Sequence, residues 1–225
     1  MAERVTRRRD ELDENVVIDL VRNEVVTDTF RRLPSAKKAR VYQVALQLFG
    51  EFGYDGLSVD QLCREAGISK GSFFQYFPSK THLLEFCVLV FDHYLAERTA
   101  EIRASDTAVL ARERLLHLYR SVALNSRLFP AEEKFYLLVT RALNHSAVAL
   151  EGIDVGRHFD EYVTEIIRRG EQTGEIRGDF DARLTAHMVA LIIEALVGRS
   201  FEGKGLSRHE AERYLISFLF DGIKA

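Results

Sequence analysis

Residues able to meet phosphate and nucleobase edges are concentrated between positions 35 and 80. Ser35, Ser58, Ser69, Ser72 and Ser79 carry hydroxyls, and Lys37, Lys38, Lys70 and Lys80 carry ammonium groups. Gln75 carries an amide whose donor and acceptor match an adenine edge. All four lysines fall in the first turn of a predicted helix, where a cation opposes the helix dipole by about 0.3–1 kcal/mol. Three helices repeating this within one short segment suggest compensation by an external anion. Free N–H groups at a helix start, beside a lysine, make a seat for phosphate. From Arg31 to Lys80 the chain is net positive by four, against –3 for the whole. That is the charge distribution of a compact anion-binding module on a mildly acidic protein.

Nothing comparable points to catalysis. No nucleophile–base constellation, glycine-rich phosphate loop or metal motif appears. His93, His145, His158 and His187 are not paired at metal-ligand spacing and lack nearby cysteine or acid partners, so no metal or other cofactor is expected. Cys63 and Cys87 lie among apolar residues and read as buried free thiols. The arginine-rich start lacks the apolar run of a signal peptide, and no stretch is apolar for the length of a membrane span. The expectation is a cytoplasmic protein with no membrane partner. Two alternatives stay open: a helical protein-interaction module, and an enzyme whose scattered His and Asp residues converge only in the fold.

Helices must position these groups. Only three prolines occur, at 34, 78 and 130, and the stretches between them carry apolar residues at i, i+3, i+4 and i+7. The expected fold is all-α. Ser35 is read as the N-cap of a helix with an apolar stripe of Val41, Ala45, Leu48, Phe49 and Phe52, ended by Gly53. Ser58-Val59-Asp60-Gln61 reads as a capping box opening a short helix to Ala66. Ser69 caps a second short helix to about residue 76, and Ser79 caps a long helix to about Arg103. Two short helices joined by Ala66-Gly67-Ile68 have helix-turn-helix spacing. Gly67 supplies the positive φ of the turn. In the second helix Phe73 and Phe77 share a side and pack inward, leaving Lys70, Gly71, Phe74 and Gln75 outward. Further helices are expected over about 106–126, 131–148, 154–173, 181–201 and 207–221, and a single helix over 11–32. The helix at 181–201 is apolar nearly all round and should be buried on more than one side.

The segment ARVYQVALQLFGEFGYDGLSVDQLCREAGISKGSFFQYFPSKTHLLEFCV resembles the DNA-binding domain of tetracycline-repressor (TetR) family transcriptional regulators. The matching features are Ala45, Phe49, Gly53, Ala66-Gly67-Ile68-Ser69, Gly71-Ser72, Tyr76-Phe77 and Lys80, with Ser58 where threonine is usual. The C-terminal GEIRGDFDARLTAHMV is similar, more loosely, to the start of the family's penultimate helix. The resemblance implies phosphate contacts at Tyr76 and Lys80 and recognition-helix contacts at Lys70, Gly71, Ser72, Phe74 and Gln75. Ser58, Ser69, Lys37 and Lys38 join them from the helix-start argument. Phe74 stands where many members carry tyrosine, so a hydroxyl contact is lost and an apolar touch on a thymine methyl remains.

The resemblance further implies an N-terminal three-helix DNA-binding domain at 34–80, then a larger helical ligand-binding and dimerisation domain at 81–225. The implied function is a regulator, in the family's common mode a repressor, binding a palindromic operator as a homodimer and released by a small molecule. In a two-fold dimer the recognition helices would stand about 34–36 Å apart, one DNA turn. The helix from Ser79 would carry a tilt from the ligand domain to them. Dimer contacts are expected at Met188, Ile192, Ala195 and Leu196 of the penultimate helix and Leu215, Phe218 and Leu219 of the last. Ligand-lining candidates are Phe91, Tyr94, Tyr119, Asn125, Phe135, Tyr136, His158, Phe159 and Tyr162, which suits an apolar or aromatic ligand. Residues 1–33 exceed what the family places before its first helix. Arg7, Arg8 and Arg9 could form a minor-groove arm, and the amphipathic stretch after them could pack on its own subunit or its partner.

Overall fold

Short polar side chains open several of the helices. Asp13 accepts from the N–H groups of Asn15 and Val16 and starts α1 (Glu14–Arg22). Thr27 accepts from Phe30 N–H and starts α2 (Asp28–Arg31). Pro34 precedes α3 (Ser35–Gly56), Ser58 caps α4 (Val59–Ala66) and Ser69 caps α5 (Lys70–Tyr76). The remaining elements are α6 (Lys80–Ser105), α7 (Ala111–Leu128), α8 (Pro130–Leu137) widening into a π turn at Leu138–Ala142, α9 (Arg157–Thr173), α10 (Ala182–Val197) and α11 (Arg208–Ile223). The structure, a computed structural model, describes residues 11–142, 154–197 and 207–223, and among these no β-strand forms.

Several boundaries differ from those read in the sequence. The stretch 11–32 holds two helices separated by residues 23–27, where Glu24 takes φ 59°. Ser35 is the first helical residue and makes no capping bond; the cap position belongs to Pro34. Gly53, at φ 70° and ψ -177°, breaks the helix where the sequence places its end, and a separate turn follows across the kink to Gly56. Only half of the capping box forms. Ser58 accepts from Gln61 N–H, but the Gln61 amide donates to Glu65 at 2.9 Å instead of returning to the cap. Residues 106–110 are a loop before α7, pinned where Asp106 accepts from Ala108 N–H. The expected stretches at 143–148 and 198–201 lie outside the described residues.

The chain divides into two compact units, Met1–His93 with Ala131–Val155, and Tyr94–Pro130 with Gly156–Ala225. The first is built on rings. Phe30, Phe49, Phe73, Phe77, Phe86 and Phe135 are all fully buried, and Phe30, Phe77 and Phe86 meet pairwise at 5.1–5.4 Å between centroids. Where α3 passes α8, a Cβ at Gly50 would stand 3.0 Å from Lys134 Cβ, so that close crossing needs the glycine.

The second unit is aliphatic. Leu115 and Leu118 of α7, Val163, Ile166 and Ile167 of α9, Val189 and Ile193 of α10 and Leu215 of α11 form its centre. Beside this centre Asp106 accepts from Arg114 Nε and from the Tyr162 hydroxyl, each at 2.7 Å. The expectation that α10 is buried on more than one side is not met within the chain. Ala186, Val189, Ala190 and Ile193 are buried, while Leu184, Met188 and Leu191 stand exposed on the opposite side.

Candidate nucleic-acid interface

The α4–turn–α5 motif is closed by short-range bonds. Gly67 adopts φ 69°, ψ 39° and its N–H, like that of Ile68, bonds to the Cys63 carbonyl. Only a residue without Cβ takes that left-handed position at no cost. Ser69 Oγ accepts from Ser72 N–H at 3.0 Å and pairs with Ser72 Oγ at 2.8 Å, which opens α5.

The two sides of α5 separate as the ring spacing predicts. Phe73 and Phe77 are fully buried and meet at a tilt, 5.5 Å between ring centres. Lys70, Gly71, Phe74 and Gln75 are exposed, Phe74 to 54%. A Cβ added at Gly71 would meet nothing nearer than Ser69 Oγ at 3.8 Å, and Gly71 is not at positive φ. The chain itself therefore gives no reason for a glycine there.

The lysines divide. Lys38 is 4% exposed; its ammonium donates to Glu14 Oε2 at 2.9 Å and to the Arg31 carbonyl at 3.1 Å. The anion that compensates it is Glu14 of this chain, so Lys38 is corrected from phosphate contact to internal ion pair. Lys80 donates to the carbonyls of Tyr54 at 2.8 Å and Leu57 at 3.4 Å, with its ammonium 4.5 Å from the Tyr54 ring centre. It satisfies the end of α3 and stays partly exposed. Lys70 pairs with Asp60 at 2.9 Å, both groups well exposed. Such a pair is worth about 0–1 kcal/mol in water and yields to a stronger anion. Lys37 forms no ion pair among the described residues. The Tyr76 side chain is largely buried, with its ring 6.0 Å from Phe30.

Thr27 and Phe30 were passed over in the sequence, yet both touch α5. Thr27 Oγ1 donates to the Gln75 carbonyl at 2.5 Å. The run Thr27-Asp28, a capping residue followed by an acid, was the available signal. Arg40 was likewise missed; it donates to the Glu65 carbonyl at 3.0 Å and ties α3 to α4.

The ligand candidates divide between the two units. Phe91, Phe135 and Tyr136 meet in the first unit, with Phe91 5.4 Å from Phe135 and 6.2 Å from Tyr136. In the second unit Tyr119 and Tyr162 are core and Phe159 packs against them, while Tyr94 and Asn125 are half-buried. The Tyr162 hydroxyl is taken by Asp106, and the exposed His158 lies 3.7 Å from Glu161. Among the dimer candidates, Met188 and Phe218 are exposed, Ile192, Ala195 and Leu196 are half-buried, and Leu215 and Leu219 belong to the chain's own core. Among the described residues no three His, Cys, Asp or Glu side chains could hold a metal ion, and no helix is long and apolar enough to cross a membrane.

Residues 41–87 match the model of the bacterial regulatory proteins of the tetR family. The HTH-type transcriptional regulator YuxN of Bacillus subtilis is 46% identical over 48 residues, covering 21% of this chain and 16% of that protein. The chain thus spans about a sixth of the length of that relative. The HTH-type transcriptional repressor Rv1474c of Mycobacterium tuberculosis is 25% identical over 181 residues, 77% of this chain and 87% of that one. Among solved structures, the transcriptional regulator FadR of Bacillus subtilis in complex with stearoyl-CoA superposes with a TM-score of 0.64 at 19% identity, covering 82% of this chain and 98% of that chain. The helix-turn-helix lies within residues 41–87, the segment that matches the tetR family of bacterial regulatory proteins, and the described residues around it are helical as in the relatives it resembles.

Proposed function

We propose that the protein is a sequence-specific DNA-binding transcriptional regulator. It acts as a homodimer on a palindromic operator, represses, and is released by a small apolar or aromatic ligand. The observation that carries this reading is the outer side of α5, where Phe74 is half exposed and Gly71 leaves room for a side chain that is absent. Without an outside partner neither feature is favourable: the ring stays in water, and glycine in a helix costs up to about 1 kcal/mol against alanine. Phe74 and Gln75 read base edges, the ring against a thymine methyl and the amide against adenine. Lys37, Ser58, Ser69, Lys70, Ser72 and Lys80 meet phosphates and set the register.

Residues 34–80 supply the reading surface in this account, and 81–225 supply effector binding and dimer contacts. Repression is supported by the repressor Rv1474c, and an apolar effector by the stearoyl-CoA complex of FadR. An effector acts only by binding the DNA-competent and incompetent arrangements unequally; α6, which contributes residues to both units, is one covalent link between them.

Selection from random duplexes with the purified full chain tests the reading. It should return a palindrome, and fluorescence anisotropy should show affinity for it falling steeply with salt. Failure to capture any duplex at modest ionic strength would sink the assignment.

A further inference from the structure

The segment 13–33 lies outside the family match at 41–87, yet it is built into the recognition helix. A seven-residue helix cannot hold itself in water, and its last carbonyls have no partners within the helix. In α5 two of these carbonyls are met by one residue of the extension. Thr27 Oγ1 donates to Gln75 O at 2.5 Å, and Thr27 N–H donates to Tyr76 O at 3.1 Å. The same Oγ1 accepts from Phe30 N–H at 3.3 Å and so caps α2. One turn on, Phe30 is fully buried against Tyr76, Phe77 and Phe86. At the other end of the extension, Glu14 holds the ammonium of Lys38 on α3 and lies 3.6 Å from Arg31. The extension therefore spans from α3 to the C-terminal turn of α5, with a polar bond at each end and a ring between.

We propose that Thr27 and Phe30 are positioning residues for sequence reading. The extension fixes the last turn of α5, where the backbone of Gln75 is bonded and its side chain is exposed, and so sets which base edge that amide can reach. The proposal rests on the DNA-reading role of α5. A polar bond at each end distinguishes this bracing from simple apolar cover: ring packing alone leaves a helix free to slide by fractions of an ångström, whereas two hydrogen bonds to consecutive carbonyls fix both its height and its rotation.

The test uses the full chain with Thr27→Val, which removes the hydroxyl and keeps the shape, and Thr27→Ser, which restores the donor. Anisotropy titrations compare the duplex returned by selection with a random-sequence duplex of equal length at the same salt. Thr27→Val should lose on the order of tenfold on the selected duplex and less than about twofold on the random one, with Thr27→Ser near wild type on both. Equal losses on both duplexes, or no loss on either, would overturn the proposal and leave the extension a stability brace. Amide hydrogen exchange separates the proposal from the DNA reading itself. Should the wild-type protein capture no duplex, the regulatory reading fails alone. The amides of Gln75, Tyr76 and Phe77 should still exchange faster in Thr27→Val and not in Thr27→Ser, and unchanged exchange there overturns the positioning role. Where Thr27→Val loses helical circular dichroism, Thr27→Asp replaces it in the exchange measurement, since aspartate still caps α2 but can only accept.

Discussion

Lys38 Nζ lies 2.9 Å from Glu14 Oε2 in a site where only 4% of the lysine side chain is exposed. A cation so enclosed does not meet phosphate; the proposed contact falls to its neighbour Lys37. Lys38→Met should lower stability by about 1–3 kcal/mol, because the Arg31 carbonyl loses its donor, while the slope of log affinity against log salt stays as in wild type. Lys37→Ala should do the reverse, reducing that slope by about one. Denaturant titration and salt-dependent anisotropy measure both quantities. A flatter slope for the methionine variant would return Lys38 to the phosphate contacts.

In the proposed DNA complex Lys80 has two duties, and Gln75 one. Lys80→Ala removes the donor from the Tyr54 and Leu57 carbonyls, so it should cost about 1–3 kcal/mol of stability. It should also weaken binding to every duplex alike. Gln75→Ala should leave the melting temperature unchanged and cost about 1–3 kcal/mol of discrimination at one base-pair position. Competition with single-substitution duplexes reads the second effect. Loss of the same size on all of them would remove Gln75 from base reading.

Gly71→Ala separates stability from function. The new methyl meets only Ser69 Oγ at 3.8 Å, so the fold should gain up to about 1 kcal/mol. Operator affinity should fall on the order of tenfold, because the methyl holds the duplex away from α5. Unchanged affinity would mean that no partner approaches closely there.

The Asp106 site makes the second unit acid-sensitive. Burial alone would raise the Asp106 carboxyl, but hydrogen bonds from Arg114, Tyr162 and Ala108 N–H, with the Arg114 charge, hold it below its ordinary value. A carboxyl lowered in the folded state contributes stability above its unfolded value near 3.9 and loses it as pH falls through the lowered one. Tyr162→Phe removes one of those bonds, so acid unfolding should begin at higher pH than in wild type. Asp106→Asn should cost about 3 kcal/mol or more at neutral pH, because Arg114, whose side chain is 8% exposed, loses its counter-charge. Helical circular dichroism followed from about pH 5 to 1 shows the first effect. An unshifted acid limb for the phenylalanine variant would contradict this account.

The exposed side of α10 predicts association. Met188 is 56% exposed and Phe218, on α11, 70%. Glutamate at both positions should turn a dimer into a monomer in light scattering and change the stability of the monomer by less than about 0.5 kcal/mol. Leu215→Ala should instead cost about 2–5 kcal/mol, since Leu215 is core within the chain. A dimer persisting in the double glutamate variant would place the interface elsewhere.

The helix-turn-helix was legible because each of its signals is local. Ser58 and Ser69 cap helices three residues ahead, Gly67 closes the turn within four, and the spacing of Phe73 and Phe77 fixes which side of α5 is buried. The family resemblance followed from the same short-range residues. Such features depend on bond geometry within a turn or two, which a sequence carries in full.

The partners of the lysines were decided by the tertiary structure. Glu14 lies 24 residues from Lys38, and Tyr54 lies 26 from Lys80. The helix-dipole argument identified cations that needed compensation and assigned it to an outside anion. The fold supplies it from within for Lys38, satisfies carbonyls with Lys80, and leaves Lys70 in an exchangeable pair. In the same way α10 reads as apolar all round, but only packing divides it into a side claimed by the chain and a side left bare. Periodicity states which residues avoid water; which neighbour removes them from it is set by segments far apart in the chain, and that information exists only once the helices have been brought together.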